Sequence, residues 1–507
     1  MIYLTTGEEL TSVADAIREK TGKPGELKYP EEFVSEIESI QTGGDPTLED
    51  DYCGARFFDF NGNLIAAIPA EEIADLTELP ALPDHSDIGL TNGEWSWSLQ
   101  EIKDFFEYYK YVDPACNVSA LYDSTAQFVI GINVPHDNYD VYLWLTQGSE
   151  NVDVNIAWGD GYYSSESPLI SRTSILHTYA TKGKYYITVT SPSNLVIPAD
   201  FPQPFLSVKN EWTRKSLAEG NALFTGIMFA SLMPSLATTM NYCECDFISF
   251  KKGASFPSLQ SFGNYSKIKY FGYLSYNGAN NNFLFQSEIK FIDPYPVSGY
   301  NLNNISTPLY AVKYSVNAFS CNFGDNIHIK RIFPQFRATS IQQYSAKNTF
   351  DRAFNVKFKV PPGLSDIRCQ IYNLTKIFDL IIIPKHFTQF YNYAYSNANV
   401  HNLIFEEKTA PTFTSGMYIG HTSNIYIYYD IYNSMITNLN NANDNLKATN
   451  NNIYGWGEFD ENEVLPSSNS DNLNLTWFNS IDECIQGLNP ITIAPKTGRY
   501  YCTFSAP

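Results

Sequence analysis

The chain has 507 residues, which is too many for a single hydrophobic core, so we expect several domains. It contains 54 acidic and 33 basic residues, and this net charge of −21 argues against a nucleic-acid-binding protein, because affinity for phosphates depends on clustered Lys and Arg. A hydrophobic content of 44% excludes wholesale disorder, and the lack of any run of about 18 apolar residues predicts no membrane insertion.

Residues 1–46 are predicted to form a helical module for attachment or oligomerisation. Thr6 followed by Glu9 is a capping-box pattern, and apolar residues then recur at helical spacing. A second apolar stripe follows Pro30. Helices this short cannot bury their stripes alone, so we expect them to pack on another chain, with a homotrimer favoured. The first residues lack the basic and apolar regions of a signal peptide, and we expect none.

Two runs in this module carry a resemblance to a known group of proteins. They read ELTSVADAIREKTG at residues 9–22 and YPEEFVSEIESI at residues 29–40. In order and spacing they resemble a module of tail-fibre and minor structural proteins of phages that infect Gram-positive, often gut-dwelling, bacteria. The resemblance implies attachment to a virion or a role in its assembly, and it brings no catalytic residues.

Residues 47–116 are predicted to form a small α/β module. The run ARFFDFNGNLI, which begins at Ala55, predicts a β-hairpin with an Asn-Gly turn. Short helices are predicted over residues 69–76 and 98–109. The intervening aromatic pair, Trp95 and Trp97, could form a ligand platform, but we interpret it as part of a small domain's core. The hairpin also resembles the same group of phage proteins.

Residues 117–197 are predicted to form a β-sandwich. Alternating apolar residues predict strands at 128–134, 141–145 and 152–157. Three motifs follow, namely W-G-D-G from Trp158, H-T-Y from His177 and G-K-Y-Y-I-T-V from Gly183. Together they resemble the PKD domain, an immunoglobulin-like module that acts as a spacer or adhesive scaffold.

Four side chains of these motifs are expected to be structural. Asp160 is expected to accept hydrogen bonds from backbone amides of its own turn. Tyr179 and Tyr185 are candidates for core packing with tethered hydroxyls. His177 invites a metal or catalytic interpretation, but its position in the resembling motif makes it structural. We predict no metal site, no cofactor and no catalytic residue in the chain.

Residues 198–449 are predicted to hold a repeat. Short apolar pairs separated by one residue recur at a period near 22 and begin at Ile248, Ile268, Ile289, Val312, Val356, Ile381, Leu403 and Ile425. One further strand is expected near residues 327–333. A period near 22 with one short strand per turn is typical of leucine-rich repeats. The strands from Ile268 onward should therefore lie parallel in one sheet, with their side chains in a shared core.

The clearest turn, IIIPKHFT from Ile381, resembles the BspA-like leucine-rich repeat. This resemblance implies an irregular solenoid. The strand at Ile425 and the helical pattern after it resemble the terminal cap of such arrays. Residues 450–507 are predicted to form a small β appendage that covers the end of the solenoid.

Charge is distributed unevenly along the chain. Residues 1–123 contain 26 acidic and 7 basic side chains, whereas residues 205–430 contain 13 acidic and 20 basic ones. Since Gram-positive surfaces carry anionic polymers, the repeat region is predicted to bind a host glycan. The predicted contacts are Tyr270, Lys290, Tyr314, Tyr393 and Tyr395.

These patterns predict a multidomain, mainly β chain, and the resemblances imply a non-enzymatic virion protein of the tail-fibre or receptor-binding type. Its partners would be other virion proteins, through residues 1–46, and a glycan or protein of the host surface. A bacterial cell-surface adhesin is the alternative, because BspA-like repeats and PKD modules also occur there. A depolymerase of surface glycans is a third possibility, which requires carboxylates facing a groove. The acidic run at residues 458–463 could imitate such carboxylates, although we interpret it as a solvated loop.

Overall fold

The chain divides into two compact units, Met1–Tyr52 and Cys53–Pro507. The computed structural model describes residues 46–48, 52–147, 152–169, 173–191, 196–197, 206–207, 224–229, 239–240, 245–253, 261–262, 268–273, 284–285, 289–292, 331–332, 356–359, 366–367, 377–385, 389–390, 399–411, 422–441 and 450–507. The predicted helices of residues 1–46 therefore lie outside the described residues, apart from the first residue of a short 3-10 helix at Pro46–Leu48. The second unit is mainly β, as predicted.

The second unit begins with a four-stranded sheet. Strand β1 (Gly54–Phe58) pairs antiparallel with β2 (Leu64–Pro69) and parallel with β4 (Ala115–Ser124), which pairs antiparallel with β3 (Leu90–Trp95). The predicted hairpin is confirmed, and its Gly62 has a φ of +79°, a left-handed conformation that favours glycine. Strand β4 runs across the boundary predicted between residues 116 and 117, because its first half pairs with β1.

One α-helix and two 3-10 helices accompany this sheet. Helix α1 (Leu99–Tyr109) confirms the helix predicted after Trp97, while the 3-10 helices span Ala70–Asp75 and Ser86–Ile88. The hydroxyl of Ser98 accepts the N–H of Glu101, whose carboxylate accepts the N–H of Ser98. This reciprocal capping box fixes the start of α1 directly after β3.

Eight strands follow in residues 128–207: β5 (Phe128–Val134), β6 (Tyr139–Gln147), β7 (Val152–Ala157), β8 (Tyr163–Leu169), β9 (Thr173–Tyr179), β10 (Gly183–Thr190), β11 (Val196–Ile197) and β12 (Leu206–Ser207). They divide between two sheets. One contains β5, β10, β7 and β8 in that order, and in the other β6 pairs with β9, β11 and β12. All these pairs are antiparallel.

The first part of the repeat region continues one of these sheets. Its strands are β13 (Phe224–Phe229), β14 (Thr239–Met240), β15 (Cys245–Phe250), β16 (Ser261–Phe262), β17 (Ile268–Phe271), β18 (Leu284–Phe285) and β19 (Ile289–Ile292). Strand β13 pairs antiparallel with β5, and β15, β17 and β19 then add in parallel. The short strands β14, β16 and β18 form a parallel sheet of their own.

The rest of the chain builds a second eight-stranded sheet and two helices. In chain order the elements are β20 (Arg331–Ile332), β21 (Val356–Lys359), β22 (Asp366–Ile367), β23 (Ile377–Ile383), β24 (Gln389–Phe390), β25 (Asn399–Phe405), β26 (Thr422–Tyr428), α2 (Tyr432–Asn441), β27 (Asn452–Phe459), β28 (Asn474–Phe478), α3 (Ile481–Gln486) and β29 (Gly498–Ser505).

Six parallel strands of this sheet, β20, β21, β23, β25, β26 and β27, are followed by β29 and β28, which pair antiparallel. Strands β22 and β24 pair separately. Strand β20 lies within residues 327–333, where one further repeat strand was predicted. The predicted C-terminal appendage is therefore not a separate sheet, because its first strand, β27, continues the parallel array.

The described strands pair in the predicted parallel register. Ile268 lies opposite Ile289, and Ile381 lies opposite Leu403, which lies opposite Ile425, all in parallel pairs. Among the described strands, however, the first two residues belong to one sheet and the last three to another, so the prediction of a single sheet is not met. The predicted position at residue 312 lies outside the described residues.

An asparagine ladder connects neighbouring strands of the second large sheet. The side-chain amide of Asn402 donates to the carbonyl oxygen of Asp379 at 3.0 Å. Asn424 donates to the side-chain oxygen of Asn402, and Asn452 to that of Asn424, both at 3.1 Å. Each side-chain amide thus donates a hydrogen bond to an oxygen on the preceding strand of the array. These polar contacts fix the parallel register together with the apolar pattern.

Both faces of this sheet are buried where the structure describes its centre. Leu403 and Ile404 point to opposite faces, as neighbours in a strand do, and both are 0% exposed. Ile404 belongs to the same core as Phe105 and Tyr109 of α1, so the α/β module packs on one face of the repeat sheet. Full burial of an aromatic ring such as Phe105 contributes about 1.5–3 kcal/mol. The module therefore stabilises the repeats rather than standing apart from them.

Candidate functional site

Of the five predicted glycan contacts, Tyr270 is the one whose side chain lies in the described part of the chain. Tyr270 is 0% exposed, and its hydroxyl donates to the hydroxyl of Ser119 in β4, so the prediction that its ring contacts a ligand at the surface is wrong. Lys290 lies in β19, and its side chain is outside the described residues. The remaining three predicted contacts, Tyr314, Tyr393 and Tyr395, also lie outside the described residues.

A surface pocket lies instead between the end of α1 and the C-terminal strands. It has a volume of about 210 Å³, and its lining residues are Lys110, Tyr111, Glu458, Phe459, Asp460, Glu463, Thr497 and Gly498. We call it the Glu458 pocket. Its walls come from chain segments that are about 350 residues apart in sequence, so no local motif could have predicted it.

The ends of three secondary-structure elements form this pocket. Lys110 and Tyr111 directly follow α1, Glu458 is near the end of β27, and Gly498 begins β29. Because β27 and β29 are antiparallel neighbours, the end of one strand meets the start of the other. Packing of α1 on the same sheet then brings residues 110 and 111 to that edge.

The loop after β27 is held by its own hydrogen bonds. The Glu463 carboxylate accepts the N–H of Asp460 at 2.9 Å, and the Thr497 hydroxyl accepts the N–H of Glu461 at 3.0 Å. Asn462 has a φ of +66°, a left-handed conformation that Asn tolerates better than most residues. The acidic residues of this run are exposed to solvent, as predicted for a solvated loop, and the run forms a turn whose carboxylates border the pocket.

A buried ionic network lies behind the pocket. The Glu406 carboxylate accepts from Lys359 at 2.9 Å and from Arg499 at 2.7 Å, and all three side chains are less than 10% exposed. Arg499 also donates to Glu458 at 3.2 Å, which is the contact between the network and the pocket. Its guanidinium carbon lies 3.8 Å from the ring centre of Tyr111 and 4.6 Å from that of Trp456. The stacked rings shield this cation from water.

The network fixes the ionisation of the Glu458 carboxyl. Partial burial would raise its pKa, but the Arg499 and Lys110 charges and the hydrogen bonds from Arg499 and Tyr111 outweigh that effect, so its pKa is lowered. Burial also lowers the pKa of Lys359, against the attraction of Glu406. Glu458 is consequently an anion that accepts hydrogen bonds at neutral pH.

Two histidine–aspartate pairs elsewhere in the body serve packing. His177 is 2.7 Å from Asp160, and its ring stacks on Trp158 with 4.6 Å between centres. Both contacts are what a structural role predicts for His177. His85 is likewise 2.7 Å from Asp59 and packs edge-on against Phe60.

The other expectations for the sandwich motifs can also be compared with the structure. Asp160 accepts the N–H of Tyr162 at 3.2 Å, as predicted for a turn aspartate. Tyr179 is 0% exposed and its hydroxyl donates to the Trp158 carbonyl at 2.8 Å, which confirms a tethered core tyrosine. Tyr185 stacks on Tyr179 but is only half-buried, with its hydroxyl bonded to the Thr181 carbonyl.

Within the described ranges, no three His, Cys, Asp or Glu side chains converge as a metal site would require. In the same part of the chain, no helix is both long and apolar enough to cross a membrane. Comparison with protein-family models, with curated proteins and with solved structures finds no match to this chain.

Proposed function

We propose that this chain is a structural protein of a bacteriophage virion, of the tail-fibre or receptor-binding type, which attaches the particle to the surface of its bacterial host. The observation that carries the proposal is the division of the chain into a short unit, Met1–Tyr52, and one large β body, Cys53–Pro507. An attachment protein needs this arrangement, with one part for the particle and another for the host. The short unit contains the runs that resemble phage structural proteins.

The same proposal covers the finer assignment of the folds. We assign residues 117–197 to a PKD-like sandwich and residues 198–449 to a BspA-like leucine-rich-repeat solenoid. Support for the solenoid comes from the parallel strands at a spacing of 22 residues, from Ile381 to Leu403 to Ile425, and from the asparagine ladder beside them. Support for the sandwich comes from the antiparallel pairing of strands β5 to β12 in two sheets and from the tethered Tyr179.

The large body would carry the receptor-binding surface. A glycan of the host envelope is the proposed target, and the Glu458 pocket is the proposed contact among the described residues. The short unit would join the body to other virion proteins or to sister subunits, with a trimer as the proposed assembly. In the host the protein would be made in the cytoplasm and then incorporated into the particle.

Two measurements test this function. Mass spectrometry of purified particles should find the chain in stoichiometric amounts, and its absence from virions would contradict the proposal. Labelled full-length protein should bind cells of a Gram-positive host panel in a saturable manner. The full-length chain is the right reagent because a fragment that starts at residue 198 would lose β5, which pairs with the first repeat strand.

A further inference from the structure

We propose that the Glu458 pocket binds a single uncharged, hydroxyl-rich sugar residue and discriminates against phosphate groups. This inference rests on the proposed attachment function and narrows its target class. It also departs from the expectation, based on the excess of basic residues in 205–430, that the protein binds an anionic polymer. The argument depends on the charges, the hydrogen-bonding groups and the rigidity of the pocket.

The charges that border the pocket are mostly negative. Glu458, Asp460 and Glu463 contribute three carboxylates, and Lys110 is the single cation of the lining. Lys110 is already paired with Glu107 at 2.7 Å, and Arg499 behind the pocket is paired with Glu406 and Glu458. A phosphate placed here would meet three like charges at short range, which is unfavourable.

The hydrogen-bonding groups of the pocket favour hydroxyls. Ionised carboxylates only accept hydrogen bonds, so the ligand must supply donors to Asp460 and Glu463. Lys110 only donates, and its ammonium group has three N–H bonds, so beyond the contact with Glu107 it can also donate to an acceptor on the ligand. A hydroxyl group both donates and accepts, whereas an ammonium group only donates and a phosphate dianion only accepts. Adjacent hydroxyls on a sugar ring therefore match the mixed set of partners best.

The size and rigidity of the pocket restrict what it can hold. A volume of about 210 Å³ is somewhat larger than the cavity of about 150 Å³ that holds one benzene ring, so it is room for one sugar ring. Glu458 is fixed by Arg499 and by the Tyr111 hydroxyl, each at 3.2 Å. The bonds between Asp460 and Glu463 and between Glu461 and Thr497 fix the loop. A preformed set of acceptors avoids part of the entropic cost of binding.

The test is saturation-transfer NMR with titration of full-length protein against methyl glycosides of glucose, galactose and mannose, with glycerol phosphate and methylammonium as the charged probes. At least one glycoside should bind, and neither charged probe should compete with it. The double variant Asp460→Asn, Glu463→Gln should bind that glycoside at least about tenfold more weakly, because neutral amides accept weaker hydrogen bonds than carboxylates.

The control is the double variant Glu71→Gln, Glu72→Gln, which removes two exposed carboxylates from the 3-10 helix at Ala70–Asp75 and should leave binding unchanged. Thermal melting verifies that all variants fold. Failure of every glycoside to bind, equal binding by the pocket variant, or tighter binding of glycerol phosphate would each overturn the inference. Saturable binding to host cells that survives the pocket variant would leave the attachment function standing while removing this pocket from it.

Discussion

Replacing Glu406 by leucine should lower the free energy of unfolding by about 3–5 kcal/mol, because it leaves two buried cations without their shared carboxylate. Glu406 accepts from Lys359 at 2.9 Å and from Arg499 at 2.7 Å, and the exposed fractions of the three side chains are 7%, 7% and 3%. Arg499 keeps its contact with Glu458 in this variant. Lys359 has no second carboxylate among its described contacts, so it accounts for most of the expected loss.

The matched control is the triple variant Lys359→Met, Glu406→Leu, Arg499→Met. Replacing a buried ion network by apolar side chains of similar size is often neutral or stabilising, so this variant should recover most of the stability that Glu406→Leu alone loses. Glu458 then loses a partner, but its side chain is 36% exposed and water can solvate it. Lys359 and Arg499 also lie over the rings of Tyr108 and Tyr111, and methionine retains contact with those rings.

Urea denaturation of the full-length variants, followed by tryptophan fluorescence, measures both effects. Trp456 lies 4.6 Å from the Arg499 guanidinium and reports on this region directly. The midpoint should fall for Glu406→Leu with no change in the slope of the transition. A loss below about 1 kcal/mol, or a triple variant as unstable as the single one, would refute the view that Glu406 neutralises two otherwise unpaired charges.

The remaining predictions concern the repeat core, the ladder, a histidine pair and the short unit. Ile383→Asp should destabilise the protein by several kcal/mol, about 3–5, since Ile383 is 3% exposed and the variant buries an unpaired charge; an unchanged urea midpoint would contradict its core position. Asn424→Ala should cost about 1–3 kcal/mol by urea denaturation, because it removes the partner of both neighbouring ladder asparagines. The pKa of His85 is raised, since its hydrogen bond to Asp59 and the nearby carboxylates outweigh its burial. The stabilisation from this pair should therefore be complete below about pH 6.5 and be lost as the pH rises through the higher folded value, so the difference in melting temperature between the wild type and His85→Gln should be constant below about pH 6.5 and shrink above it. Deletion of residues 1–52 should leave the thermal melt of the body intact but abolish self-association in analytical ultracentrifugation, and a truncated chain that still assembles would place the oligomer contacts elsewhere.

The sequence predicts those features of the fold that depend on local periodicity. The hairpin at residues 54–69, helix α1, and the strands of the sandwich all follow from patterns within ten residues. The period near 22 predicts the parallel register from Ile381 to Ile425 for the same reason, because each repeat adds one equivalent strand. The position of strand β20, at Arg331–Ile332, follows from the period alone.

Long-range packing could not be predicted in this way. An apolar repeat strand has the same pattern whether its second face meets water, a ligand or another module, so the burial of Tyr270 and the packing of α1 on Ile404 have no local signal. The Glu458 pocket depends on that packing, because it joins residues 110 and 111 to the C-terminal strands. The spacing of Asn402 and Asn424, which equals the repeat period, was the one available signal for the ladder.

The continuity of the two large sheets restricts how this chain can change by recombination. Strand β5 pairs with β13, across the predicted domain border between residues 197 and 198. Strand β26 pairs with β27, across the predicted border between residues 449 and 450. A crossover at either border would leave unpaired strand edges in both products, which favours aggregation over folding. A crossover near residue 52 would separate only the two compact units. Exchange of the body between lineages is therefore expected to move residues 53–507 as one block.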